Sequence, residues 1–248
     1  MSKFENDEIE DVFGERIVFE LPKKGERLFT GTSNYYQFAH FGWGLKSQFY
    51  GYIKGYKSVS DAAVDLAVNS KDIAKLDTYV FPIIFNYRQF LELSLKSLYL
   101  DYSDDEPKTR LETIKKVSHD LMKMWDKVEP ILLSTNDGTD HKKMIAIVKS
   151  YVKQYHDMDE GSFNFRYPIT KQMTPVFKKE ERIDLVNLKQ RIGELSNFFD
   201  GMDGALDDLK QRKADWEEIQ REMQAEVEAE WRAEMEAEAR ANMEREYE

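Results

Sequence analysis

Residues 79–102 form a long apolar run crossed at four-residue intervals by Arg88, Glu92 and Lys96, and no other stretch restricts the possible folds as strongly. At 3.6 residues per turn the three charges stack on one helical face. Phe81, Ile84, Phe85, Leu91, Leu93, Leu95, Leu98 and Leu100 cover most of the remaining circumference, so such a helix has to be buried against other elements on nearly every side. Charges beside that core are costly unless paired. Arg88 with Glu92, and Glu92 with Lys96, are each one turn apart and able to pair within the helix. The stripe is therefore either a structural ladder or the wall of a site.

The 248-residue chain is 41% apolar and 13% aromatic, enough to build a substantial core. Cysteine is absent, which excludes disulfides, thiol nucleophiles and cysteine-ligated zinc and suits a reducing interior. Residues 1–20 are acidic and lack the basic start and apolar block of a signal peptide. The run at 79–102 carries too many charges for an ordinary membrane span. These features predict a soluble, cytoplasmic protein without membrane association. The net charge of −11 is uneven, because residues 207–248 hold 15 acidic and 7 basic residues, a net of −8. Such acidity opposes broad electrostatic capture of nucleic acid while leaving room for a local basic patch.

Along the chain, residues 16–21 alternate as a short strand, and Lys23, Lys24 and Gly25 read as a turn. From Phe41 the signals turn helical, with Trp43, Phe49, Tyr50, Ile53 and Tyr56 at mostly three- and four-residue intervals. Ser60 is a cap candidate ahead of Ala62, Ala63, Leu66 and Ala67, which predicts two antiparallel helices joined near Lys57. The long helix starts at about Thr78 and ends in the polar cluster at Ser103. Further helices are predicted over 108–116, 118–133 with Ser118 as cap, and 139–155. Residues 160–174 read as a loop that folds Phe163, Phe165 and Tyr167 back onto the bundle. A last core helix spans 180–199, and Gly201 and Gly204 loosen it.

From Leu209 the chain reads as a charged helix with Ile219, Met223, Val227, Trp231, Met235, Met243 and Tyr247 on a four-residue grid. Each step of four advances the face by about 40°, so the grid winds around the helix, which argues against a regular coiled coil. Pairs such as Glu217 with Arg221 favour the helix, and like-charge spacings oppose it. A solvated, frayed extension is one reading. A partner-binding arm is the other, because a merely solubilising helix has no use for Trp216 and Trp231. An acidic arm suits a basic partner or a second copy of the chain.

Three segments in order, Phe81-Pro82-Ile83-Ile84-Phe85-Asn86-Tyr87-Arg88-Gln89-Phe90-Leu91-Glu92-Leu93-Ser94-Leu95-Lys96, Ser118-His119-Asp120-Leu121 and Phe165-Arg166-Tyr167-Pro168, resemble the HEPN superfamily. The resemblance covers about residues 75 to 200. It implies a helical bundle found in toxin–antitoxin, abortive-infection and other anti-phage systems, many of whose members cleave RNA. Those nucleases use an arginine followed four to six residues later by a histidine. Here none of His40, His119, His141 or His156 has such an arginine upstream, and Lys149 ahead of His156 is the nearest substitute.

Metal-independent RNA cleavage needs a base for the 2'-hydroxyl, an acid for the leaving oxygen and a cation on the phosphorane. His119, Arg88 and Arg166 are the candidate catalytic residues, since histidine works in both directions near neutrality. Glu92, Lys96, Asp120 and Tyr167 complete a candidate ligand-binding set. His119 beside Asp120 also reads as a cap and packing residue, and Arg166 as the anchor of its loop. His156 with Asp157 and Asp159 reads as an exposed helix end in preference to a metal set. No glycine-rich phosphate loop and no Gly-x-Ser-x-Gly elbow occurs. No cofactor or metal is predicted.

The resulting expectation is an all-α, HEPN-like helical bundle over residues 41–206. An irregular or β-containing segment at 1–40 precedes it, and an acidic helical tail at 207–248 follows. Its expected role is an accessory or effector in prokaryotic anti-phage defence or a toxin–antitoxin module, binding RNA, a nucleotide or a protein partner. Self-association through residues 207–248 is included in that expectation. Two rival readings are an RNase with a rearranged catalytic set, centred on His119 and Arg166 or on Lys149 and His156, and a structural subunit that assembles through its C-terminal helix.

Overall fold

The computed structural model describes residues 9–10, 16–17 and 21–246. The chain divides into two compact units, Met1–Gly42 and Trp43–Glu248. In the first, β1 (Ile9–Glu10) pairs antiparallel with β2 (Arg16–Ile17), Ile9 facing Ile17 and Glu10 facing Arg16. The strand predicted over 16–21 is thus seen at Arg16 and Ile17; residues 18–20 lie outside the described part, and Leu21 is not in a strand. The predicted turn forms, with Glu26 N–H donating to Lys23 O at 3.3 Å. Gly25 takes φ +96° there, a conformation that a Cβ disfavours.

The second unit is helical. It begins with α1 (Leu45–Ser70) and α2 (Ile73–Tyr102), an antiparallel hairpin turned by Lys71 in the left-handed region. Asp72 caps α2 by accepting from Ala74 N–H at 2.9 Å. The two helices predicted between Phe41 and Ala67 are one, because Ser60 does not cap. Its hydroxyl is buried and donates to the Ile83 carbonyl of α2 at 3.2 Å, and Lys57 pairs with Asp61 across the expected joint. Likewise α2 starts five residues before Thr78 and runs through Pro82.

Next come α3 (Pro107–Val117), α4 (Leu121–Leu133) and α5 (Thr139–Met158). Ser118 is not the cap of α4: with φ +53° it closes α3, and Asp120 caps α4 by accepting from Lys123 N–H at 3.0 Å. The core is built from Tyr87, Phe90, Leu91 and Leu95 of α2, Leu121, Trp125, Val128 and Leu132 of α4, and Val148 and Val152 of α5, all buried. α2 packs on α1, α3, α4 and α6, which accounts for its all-round apolarity.

The last element, α6, spans Leu185–Glu246, 62 residues or about 93 Å. Asp184 caps it by accepting from Val186 and Asn187 N–H groups at 2.9 and 3.0 Å. The helix runs without interruption through Gly201 and Gly204, which the sequence expects to loosen it. Each glycine costs about 1 kcal/mol of helix propensity, which burial of Phe199, Met202 and Leu206 on the bundle outweighs. Lys54 to Asp200 (2.7 Å), Lys189 to Asp65 (2.5 Å) and Tyr102 Oη to Asp203 Oδ1 (2.7 Å) fix this half of α6 against α1 and α2. Among the described residues no helix is long and apolar enough to cross a membrane.

Candidate functional site

The stripe on α2 lies where α2 meets the turn between α3 and α4 and the loop after α5. Arg88 is wholly buried, at 0% exposure. Its guanidinium uses three nitrogens: Nη1 donates to Glu92 Oε2 at 3.1 Å, Nε to the Asp159 carbonyl at 3.3 Å, and Nη2 to the His119 carbonyl. Rigid fork geometry makes arginine suited to that triple role. Burial pushes its pKa down, and the charges of Glu92 and Asp159 act in the opposite sense.

Glu92, 4% exposed, is the centre of the cluster. Besides Arg88 it receives Lys96 Nζ at 2.7 Å on Oε1, and His119 Nδ1 stands 3.0 Å from Oε1 and 3.2 Å from Oε2. Burial favours the neutral acid. The hydrogen bond and charge of Lys96, with the charges of Arg88 and His119, outweigh it and hold the carboxyl below its ordinary value. Lys96 is mostly covered, whereas the His119 side chain is 49% exposed. His119 is therefore the face that the cluster turns to solvent, with its Nδ1 fixed by a carboxylate and its Nε2 free of that carboxylate.

Of the predicted set, Arg88, Glu92, Lys96 and His119 come together. Arg166 does not join them: its Nη2 donates to Ser162 O at 2.7 Å and to Ser162 Oγ at 3.3 Å, and its guanidinium lies over the Phe85 and Tyr167 rings. Tyr167 is exposed and packs on Phe163 at 5.1 Å, whereas Phe165 is buried between Phe81 and Phe177. Asp120 is engaged by Lys123 through N–H and Nζ, and His156 Nδ1 lies 3.7 Å from its Oδ1. Of the alternative pair, Lys149 is bound to Glu129 at 2.7 Å, while His156 stands beside Asp120. Trp216 and Trp231 are exposed on α6, far along the helix from its packed half.

Burial pushes the Asp120 carboxyl up, but the Lys123 N–H and ammonium and the charge of His156 hold it below its usual range. The cap itself predicts a stability effect. Asp120→Ala is expected to cost about 1 kcal/mol and Asp120→Asn much less, since asparagine caps as well as aspartate. Urea denaturation of the two variants checks this; equal losses would place the effect in the charge and not in the cap.

Two participants carried little sequence signal, and the exposed helix end read over His156, Asp157 and Asp159 holds only for Asp157, since His156 is half-buried. Asp159 is fully buried and organises the loop after α5, its Oδ1 accepting from Phe163 N–H at 2.7 Å and Asn164 N–H at 3.0 Å. Gln89 Nε2 donates to Ser162 Oγ at 2.7 Å, linking α2 to the same loop. The Asp-Glu-Gly-Ser run at 159–162 was the available hint, as a turn that aspartate nucleates. No group of three or more metal-ligating side chains occurs among the described residues. No family model matches the chain, and neither a curated protein nor a solved structure matches it.

Proposed function

We propose that this chain is an accessory or effector protein of a prokaryotic anti-phage defence or toxin–antitoxin module. In this reading it is built on a HEPN-like bundle and works by binding a protein partner through the outer half of α6. One observation carries the binding role. Trp216 and Trp231 are 60% and 62% exposed, and Ile219, Met223, Val227 and Met235 beside them are exposed too. Every described side chain over residues 211–237 is exposed. Isolated helices of this kind are marginal in water, and apolar surface on this scale marks interaction sites in soluble proteins. The defence setting rests on the resemblance of the 81–96, 118–121 and 165–168 segments alone.

Truncation after Lys213 is the direct test in a host where the intact chain protects against phage or arrests growth. The bundle is expected to keep its melting temperature within about 2 °C, because every described side chain that is removed is exposed, while the cellular effect disappears. Full protection by the truncated chain would sink the reading.

The geometry of His119 favours a second reading, in which RNA or a nucleotide binds at its rim. A half-exposed imidazole oriented by a buried carboxylate is able to meet phosphate or exchange a proton. Against cleavage, Arg88 is sealed and Lys96 is engaged by Glu92, so neither is presented to a phosphorane. His119→Ala is expected to change stability by under about 1 kcal/mol and to leave total RNA and tRNA uncut, as with the intact chain. Cleavage by the intact protein that the variant loses would replace binding with catalysis.

A further inference from the structure

Counted from its start, α6 carries a three-four alternation through Leu185, Leu188, Ile192, Leu195, Phe199, Met202, Leu206, Leu209, Lys213, Trp216, Gln220, Met223 and Val227. Only Lys213 and Gln220 break it. The same seam is packed on the bundle through Leu206, buried at every position but the half-buried Leu188, half-buried at Leu209 and exposed from Trp216 onward. A three-four repeat presents one face to a neighbouring helix over its whole length. The exposed apolar side chains are therefore the continuation of the helix's packing face, carried past the end of the bundle. The four-residue grid counted from Ile219 hides this register, because Ile219 and Trp231 flank the seam and Met235 lies on the outer face, while Trp216, Met223 and Val227 lie in it.

We infer that the outer seam of α6 docks a basic amphipathic helix of another protein, one with apolar residues at its own heptad seam and Lys or Arg beside them. The inference rests on the partner-binding reading above and names the partner's chemistry. Charge chooses between this occupant and a second copy. Over residues 215–236 nine side chains are acidic and only Arg221 and Arg232 are basic. Arg232 is held by Glu228 at 3.5 Å, and Arg221 Nε is directed to the Glu217 carbonyl at 3.2 Å. In the register of the seam Glu217 and Glu226 flank it and Glu230 and Glu234 fall in it, so a parallel second copy would bring these four carboxylates against another four. A basic helix turns the same carboxylates into cross-helix ion pairs. The seam from Leu209 to Val227 spans about 27 Å and ends where Glu230 and Glu234 take the next two positions, so the apolar contact is roughly three heptads long.

The test uses the full chain and two synthetic helical peptides about four heptads long. Both carry leucine at the seam; one has Lys and Arg on its flanks and the other Glu. Calorimetry and tryptophan fluorescence are expected to detect binding of the basic peptide alone, weakened at least about tenfold on raising salt to about 0.5 M. The seam variant Trp216→Ser, Met223→Ser, Val227→Ser is expected to weaken it at least about tenfold as well. Sedimentation of the chain alone is expected to give a monomer. A dimer dispersed by the seam variant would overturn the basic-partner assignment and leave the arm a binding element. Basic-peptide binding unaffected by the seam variant would reduce the contact to bare charge attraction and refute the seam. A monomer that binds neither peptide would refute the seam and the partner-binding reading together.

Discussion

Replacing Arg88 with alanine is expected to cost about 3–5 kcal/mol, the scale for removing one partner of a buried ion pair. Total stabilities of single domains run about 5–15 kcal/mol, so a third or more of the margin would go. Three separate losses compound. Glu92, 4% exposed, keeps only Lys96 and His119 as charge partners. The carbonyls of Asp159 and His119 lose the guanidinium, Asp159 keeping only the Ser162 N–H at 3.4 Å, and a buried acceptor left short of partners is itself destabilising. A cavity of arginine size opens against Tyr155, whose hydroxyl donates to the Ile84 carbonyl one turn before Arg88. The melting temperature should fall by roughly 10 °C. Arg88→Lys should recover only part of this, since an ammonium cannot reproduce a fork that spans three acceptors.

The pattern of damage separates this account from a generic core defect. The Arg88 fork ties α2 to the turn before α4 and to the loop after α5. Amides of Lys123, Phe163 and Asn164, which donate to Asp120 and Asp159, should exchange faster in Arg88→Ala by more than the global loss alone requires. Amides within α1 should track the global loss. A uniform change, or a cost below about 1 kcal/mol, would mean that the fork is dispensable.

The helices were legible because each buries a face with a 3.6-residue period, and the ladder of Arg88, Glu92 and Lys96 followed from four-residue spacing alone. Long-range partners were less accessible. His119 reaches Glu92 across 27 residues, a contact suggested only by the order of the matching segments. Two of the three Arg88 acceptors are backbone carbonyls, which any residue type supplies, so no residue pattern could mark them. Arg166 went astray for a related reason: Ser162, its partner, is buried with φ +56°, a local geometry that serine does not advertise. The errors at Ser60, Gly201 and Gly204 share one cause. Local turn and cap signals lost to tertiary packing, the Ser60 hydroxyl being taken by Ile83 and the glycines being carried along by Phe199, Met202 and Leu206. In α6 the frame also mattered, because a heptad started at Leu185 and a grid started at Ile219 read the same tail differently.

Glu92→Gln carries the second large effect and adds a signature in pH. The substitution keeps the side-chain shape, removes the charge and leaves Arg88 buried beside a neutral amide, for an expected loss of about 3 kcal/mol at pH 7. In the native chain Glu92 titrates below its unfolded value of about 4.3. A carboxyl depressed on folding contributes stability that is complete above the unfolded pKa and disappears as pH falls through the folded one. The gap between native chain and variant should therefore be constant from about pH 7 to 5 and close progressively below about pH 4.3, because a protonated Glu92 is close to a glutamine in charge. Urea denaturation at several pH values measures that gap directly. If it stayed unchanged down to about pH 3, Glu92 would not be the ionised centre of the cluster, and the orientation of His119 would have to come from the Arg88 contact to its carbonyl alone.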